Sequence, residues 1–178
     1  RFRELKLINR LDVVFKKPVF VDEELTLNVV HNEEDQNLKI LVKVNEEDCI
    51  EMNVSLGDSM LKDVKALRYT KSAEHSEPLV YDCEERDLSM QLKSACDPEK
   101  LVSMFPSLGV ALGYDRLSSI VMMSTIVGMY WPGQHSFFSG VQICFNSVAK
   151  SSIDFEVVST DSRFRLTQMN VVSSGLEA

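Results

Sequence analysis

The residues that could do chemistry are few in this sequence. Arg10, Lys16 and Lys17 form a small basic cluster, which could receive a phosphate group or could be the solvated end of a strand. His31 and His75 lie in polar stretches typical of a protein surface. The sequence has no Gly-rich phosphate loop, no G-x-S-x-G and no metal triad, so it gives no support to a Ser/His/Asp hydrolase.

Composition narrows the class of protein further. The 178 residues carry a net charge of -8, and an acidic surface repels both nucleic acid and anionic membranes. The four cysteines show no zinc spacing, and we expect them to be reduced in a cytoplasmic protein. The apolar run 117–131 is too short and too rich in hydroxyl groups for a membrane span. The chain starts at Arg1 without a signal peptide or an initiator Met, so we expect it to begin inside a longer protein.

The first third of the chain predicts four antiparallel strands in a meander. A strand from Arg10 stops at Lys16-Lys17-Pro18, because proline cannot donate to a sheet. Residues 24–30, 38–44 and 49–56 follow as alternating strands separated by polar turns. We divide the chain into strands of a first unit at 1–57, a linker at 58–82 and a second unit at 83–178.

The sequence of the second unit predicts short helices followed by one long helix. Asp97 and Pro98 are typical of a helix start. Residues 114–130 predict a continuous helix that is apolar nearly all the way round, and Pro132-Gly133 ends it. Strands are predicted at 137–145, 152–159 and 164–172.

The two units share a weak internal repeat. A constant offset places Phe15 on Phe145 and Leu25 on Phe155, each in the order strand, break, strand, turn, strand. The first copy has no counterpart of the long helix, and we expect that helix to lie upstream of residue 1.

Two stretches carry a resemblance to a known family. Residues 15–30, FKKPVFVDEELTLNVV, and 117–145, LSSIVMMSTIVGMYWPGQHSFFSGVQICF, resemble the MaoC-like acyl dehydratases, the (R)-specific enoyl-CoA hydratase group, in tandem form. The resemblance implies an α+β class and the hot-dog fold, in which an antiparallel sheet wraps a long central helix, here as part of a double hot-dog. It also implies hydration or dehydration of an enoyl thioester of coenzyme A or an acyl-carrier protein.

The sequence departs from this family at the positions of the catalytic residues. The family places an Asp and a His before the central helix, yet residues 83–112 contain no histidine, and Leu112-Gly113 stands where the family has His-Gly. We therefore expect this unit to lack the usual acid–base pair. Three functions stay open: a hydratase or dehydratase with its chemistry outside this chain, a silent acyl-binding or dimerisation module, and an acyl-CoA thioesterase.

The resemblance points to five candidate site residues. Asp115 is the candidate catalytic carboxylate, or an acid favoured by the helix dipole. Gly113 and Tyr114 would offer backbone N–H groups to a thioester oxygen, or merely start a helix. His135 could bind a carrier phosphate or be a surface turn residue, and Met122 could line an acyl tunnel or pack in the core.

The resemblance also sets the expected partners. No cofactor is expected beyond the coenzyme A or phosphopantetheine of the substrate, and no metal. The expected partners are acyl-CoA or an acyl-carrier protein, together with a homodimer or pseudo-dimer.

Overall fold

The computed structural model describes residues 8–32, 37–57, 71–73, 88–93, 96–146, 152–173 and 176–178. The chain divides into two compact units. The first comprises Arg1–Met60 with Phe138–Phe145, and the second comprises Leu61–Phe137 with Asn146–Ala178. The greater part of the predicted linker 58–82 lies outside the described residues.

Five antiparallel strands build the described part of the first unit. They are β1 (Ile8–Phe15), β2 (Leu25–Asn32), β3 (Asn37–Val44), β4 (Glu47–Leu56) and β7 (Gly140–Phe145). Their order is β2-β3-β4-β1-β7, so the four predicted strands are present but do not form a simple meander. β1 pairs with β4 and β7 instead of with β2, because the break at 16–24 carries the chain past its sequence neighbour.

Alternation along these strands separates an apolar face from a polar one. Val13 lies opposite Met52, and Met52 opposite Ile40, so these side chains share one face. Asp12 lies opposite Asn53 on the other face. The period of two in the sequence therefore decides which side of the first unit is apolar.

In the residues that the structure describes, the second unit combines five strands with three helices and a π-helical turn. The strands are β5 (Lys71–Ala73), β6 (Ser89–Lys93), β8 (Ser152–Asp161), β9 (Leu166–Ser173) and β10 (Leu176–Glu177). The order is β10-β9-β8-β6-β5, antiparallel except for the β5–β6 pair. The helices are α1 (Pro98–Met104), α2 (Pro106–Leu112) and α3 (Tyr114–Thr125), and the π-helix is Ile126–Tyr130.

The predicted start of α1 is confirmed. The Asp97 carboxylate accepts hydrogen bonds from the backbone N–H groups of Glu99 and Lys100, at 3.0 and 3.3 Å. Pro98 occupies the first helical position, where its missing N–H is not needed.

The prediction of a hot-dog fold is wrong for this chain. Strands take 52% of the described residues and helices only 23%, and α3 has 12 residues before it gives way to the π-helix. Its buried residues recur at three- and four-residue spacing, as in Ser119, Met122, Ile126 and Tyr130, whereas Ser124 is exposed. A short helix beside strands that make up about half of the described residues does not form the long central rod that a hot-dog sheet wraps.

The register of two strands agrees with the internal repeat. β1 and β7 pair antiparallel, and Asp12 lies opposite Gln142, its counterpart under the offset that places Phe15 on Phe145. The pair is therefore centred on equivalent positions of the two copies. No helix among the described residues is long and apolar enough to cross a membrane.

Candidate functional site

Gly113 joins α2 to α3 in a conformation that requires glycine. Its φ of 79° lies in the left-handed region, and its N–H donates to the carbonyl of Gly109 at 3.0 Å, which ends α2. A Cβ at this position would meet no described atom within 4 Å. The exposed junction therefore leaves open space beside the first turn of α3.

The first turn of α3 offers backbone N–H groups. No side-chain hydrogen bond caps this helix in the described structure, and the first N–H groups of a helix, here those of Tyr114 and Asp115, have no partner within it. The Tyr114 hydroxyl donates to the carbonyl of Cys96 at 2.9 Å, which fixes this end of the helix. Exposed Asp115 adds a carboxylate beside the N–H groups.

Three of the five candidate residues are consecutive in the chain. Gly113, Tyr114 and Asp115 lie together at the start of α3. Met122 lies on the buried face of the helix, and exposed His135 follows the π-helix. α3 spans about 18 Å, and Met122 lies two helical turns after Asp115 on it.

The predicted basic cluster lies among acids of the first unit. Lys16 contacts Glu51 at 2.8 Å and Asp48 at 3.8 Å, while Lys17 pairs with Glu47. These carboxylates raise the pKa of both lysines above its ordinary value. A phosphate group would have to displace these carboxylates.

Glu51 should make stability depend on acid pH. Hydrogen bonds from Lys16 and Lys39 lower its pKa from 4.5 to about 2. Since the folded pKa lies below the unfolded one, the stabilisation is complete above about pH 4.5 and is lost as the pH falls toward 2. In denaturant titrations, the difference in the free energy of unfolding between wild type and Glu51→Gln should shrink over that range. A difference that does not change with pH would contradict this prediction.

The second unit contains a buried polar cluster that the sequence did not predict. The Asp154 side chain is 2% exposed and accepts hydrogen bonds from Gln91 Nε2 at 3.0 Å and Ser152 Oγ at 3.3 Å. Ser119 Oγ of α3 lies 2.9 Å from Ser173 Oγ of β9. Serines and one aspartate in alternating strands give no sequence signal that distinguishes an interior polar contact from a solvated face.

The described residues contain no group of three His, Cys, Asp or Glu side chains placed to hold a metal ion. No family model matches the sequence, and no curated protein matches it. Among solved structures, the chain is similar to a MaoC-like dehydratase from Phytophthora capsici. The TM-score is 0.46 at 10% sequence identity, over 97% of this chain and 70% of that chain. A similarity of this size assigns neither a family nor an activity.

Proposed function

We propose that the protein binds acyl thioesters of coenzyme A or an acyl-carrier protein, in the manner of enoyl-thioester hydratases and dehydratases. The observation that carries the proposal is the uncapped start of α3, with open space at Gly113. The sequence resemblance of residues 15–30 and 117–145 supports it. A cytoplasmic location and a dimeric assembly belong to the same proposal.

The start of α3 suits a thioester carbonyl oxygen. The N–H groups of Tyr114 and Asp115 would donate to that oxygen, and the helix dipole would stabilise the negative charge that develops on it. A side chain at position 113 would occupy part of the approach, which glycine leaves open. In hydration, water adds across the double bond of a trans-2-enoyl thioester, with oxygen on the β-carbon and a proton on the α-carbon.

Because the family's Asp/His pair is missing from this chain, the proposal has two alternatives to a hydratase: a binding module without catalysis and a thioesterase. Without a histidine in residues 83–112, the chain could bind acyl groups and leave the chemistry to other residues. Exposed Asp115, beside the N–H groups, favours a second form, a thioesterase in which this carboxylate activates water.

Titration with acyl-CoA and assay of crotonyl-CoA test the proposal. We expect saturable acyl-CoA binding. If Asp115 is the base, Asp115→Asn should lower the rate of hydration or thiol release by about 10²–10⁴-fold. Glu99→Gln is the matched control, because Glu99 lies in the first turn of α1 and should leave binding and rate unchanged.

The outcomes separate the three forms. Hydration of crotonyl-CoA supports a hydratase, release of free thiol supports a thioesterase, and binding without turnover supports a silent module. A chain that is folded by circular dichroism yet binds no acyl-CoA would overturn the proposal.

A further inference from the structure

Two exposed turns of this chain carry opposite charge. The acidic turn, residues 20–24 (FVDEE), leads into β2 of the first unit. The basic turn, residues 162–165 (SRFR), joins β8 to β9 in the second unit. A chain with a net charge of -8 therefore presents a basic turn as well as an acidic one.

Each turn also exposes large apolar side chains. Phe20 and Val21 of the acidic turn are 67% and 90% exposed. Phe164 of the basic turn is 70% exposed, and Leu166, which begins β9, is 53% exposed. Arginine and aromatic side chains are enriched where proteins contact one another, so the basic turn has the composition of such a contact.

The basic turn is fixed by contacts of its own. The Arg163 guanidinium donates to both carboxylate oxygens of Asp161, at 3.2 and 2.8 Å, and lies 5.5 Å from the centre of the Phe164 ring. Arg165 has a φ of 53°, in the left-handed region that favours glycine. An arginine in this strained conformation indicates that its side chain serves a purpose other than folding.

The two lysines that precede the acidic turn are engaged with another strand. Lys16 contacts Glu51 and Lys17 contacts Glu47, and both of these acids lie on β4. These ion pairs neutralise carboxylates of β4 and not those of residues 22–24. The acidic turn therefore keeps its negative charge beside these lysines.

We propose that the acidic turn of one chain binds the basic turn of a second copy, so that two chains form a dimer through two reciprocal contacts. The carboxylates of residues 22–24 pair with Arg165, and Phe164 packs against Phe20 and Val21. This inference rests on the dimeric assembly in the proposed function and names the surfaces that meet. A second copy fits better than another acidic protein, because it brings acidic and apolar side chains together in one segment at both contacts.

The net charge of the chain does not prevent this association. At physiological ionic strength, charges separated by more than about 8 Å are largely screened. The repulsion between two chains of charge -8 is therefore weak beyond that distance, while carboxylates and guanidinium groups in contact attract each other. Once one contact has formed, the reciprocal contact forms at a high effective concentration.

Sedimentation velocity over a range of protein concentrations tests the proposal. We expect the wild-type chain to dimerise. Asp22→Lys/Glu24→Lys and Arg165→Glu should each raise the dissociation constant about tenfold or more, because each brings like charges together at both contacts. An equimolar mixture of the two variants should dimerise more tightly than either variant alone, since both contacts then pair opposite charges.

Two control variants separate the contact from the effect of net charge. Glu46→Lys/Glu99→Lys and Lys100→Glu change the net charge by the same amounts at other exposed sites, and both should dimerise like wild type. The proposal is overturned if the wild-type chain stays monomeric, if the controls weaken the dimer equally, or if the mixture associates no better than its components. Acyl-CoA titration of the same samples keeps the two proposals apart, because a chain that binds acyl-CoA without dimerising contradicts only this inference.

Discussion

Phe155→Ala should lower the free energy of unfolding by about 4 kcal/mol. Phe155 is fully buried in the second unit, where β8 pairs with β6 on one side and β9 on the other. Removing the ring costs its transfer free energy and leaves a cavity that paired strands cannot collapse to fill. Chemical denaturation followed by circular dichroism measures the change.

The repeat supplies a matched control for this substitution. Leu25 occupies the equivalent position of the first unit, but its side chain is about half exposed. Leu25→Ala should therefore cost less than about 1 kcal/mol, because solvent fills the space that it leaves. Equal losses for the two variants would contradict this prediction, because they would show that Phe155 and Leu25 contribute equally to stability.

Asp154→Ala should lower the free energy of unfolding by about 2 kcal/mol. The substitution removes the acceptor of the Ser152 hydroxyl and one of two acceptors of Gln91 Nε2, which also donates to Ser152 Oγ at 3.1 Å. Half-buried donors then lose hydrogen bonds, and the space of the buried carboxylate is left unfilled. The same denaturation experiment measures this loss.

Glu156→Ala is the control for Asp154→Ala on the same strand. The Glu156 carboxylate accepts from Asn170 Nδ2 at an exposed site, where water can replace the bond. Its removal should cost under about 1 kcal/mol. If Asp154→Ala lowers the free energy of unfolding as little as Glu156→Ala does, the hydrogen bonds of Asp154 do not stabilise the fold as their geometry indicates.

Strand positions were largely predictable because their signal is local. Alternation places side chains on opposite faces with a period of two, which is visible in residues 38–44 without any knowledge of the fold. The neighbour of β1 was not predictable in this way. Whether β1 pairs with β2 or with β4 depends on how the chain crosses between them, and both pairings satisfy the same alternation.

The helix shows how a correct local pattern led to a wrong fold. Apolar residues around the predicted helix 114–130 indicated a rod buried on most sides. In the structure the α-helix ends at Thr125 and changes to a π-helix, and Asp115 and Ser124 are exposed. An apolar side chain favours burial, but it does not determine which element of the fold covers it.

The candidate site was predictable only where it is contiguous in sequence. Gly113, Tyr114 and Asp115 lie together because they are successive residues at a helix start. His135 and Met122 were grouped with them by resemblance; Met122 lies two helical turns after Asp115, and His135 follows the π-helix. Asp154 had no sequence signal, because its burial depends on strands β6 and β9, which are distant in the chain.

The sequence by itself determined strands β1 to β4 and β7 to β9, the capped start of α1 and the start of α3 at Tyr114. These features arise from the backbone preferences and side-chain periods of neighbouring residues. The tertiary structure decided which strands pair, where the additional strands β5, β6 and β10 form and which aspartate is buried. Those outcomes depend on contacts between residues far apart in the chain, and local propensity contains no information about them.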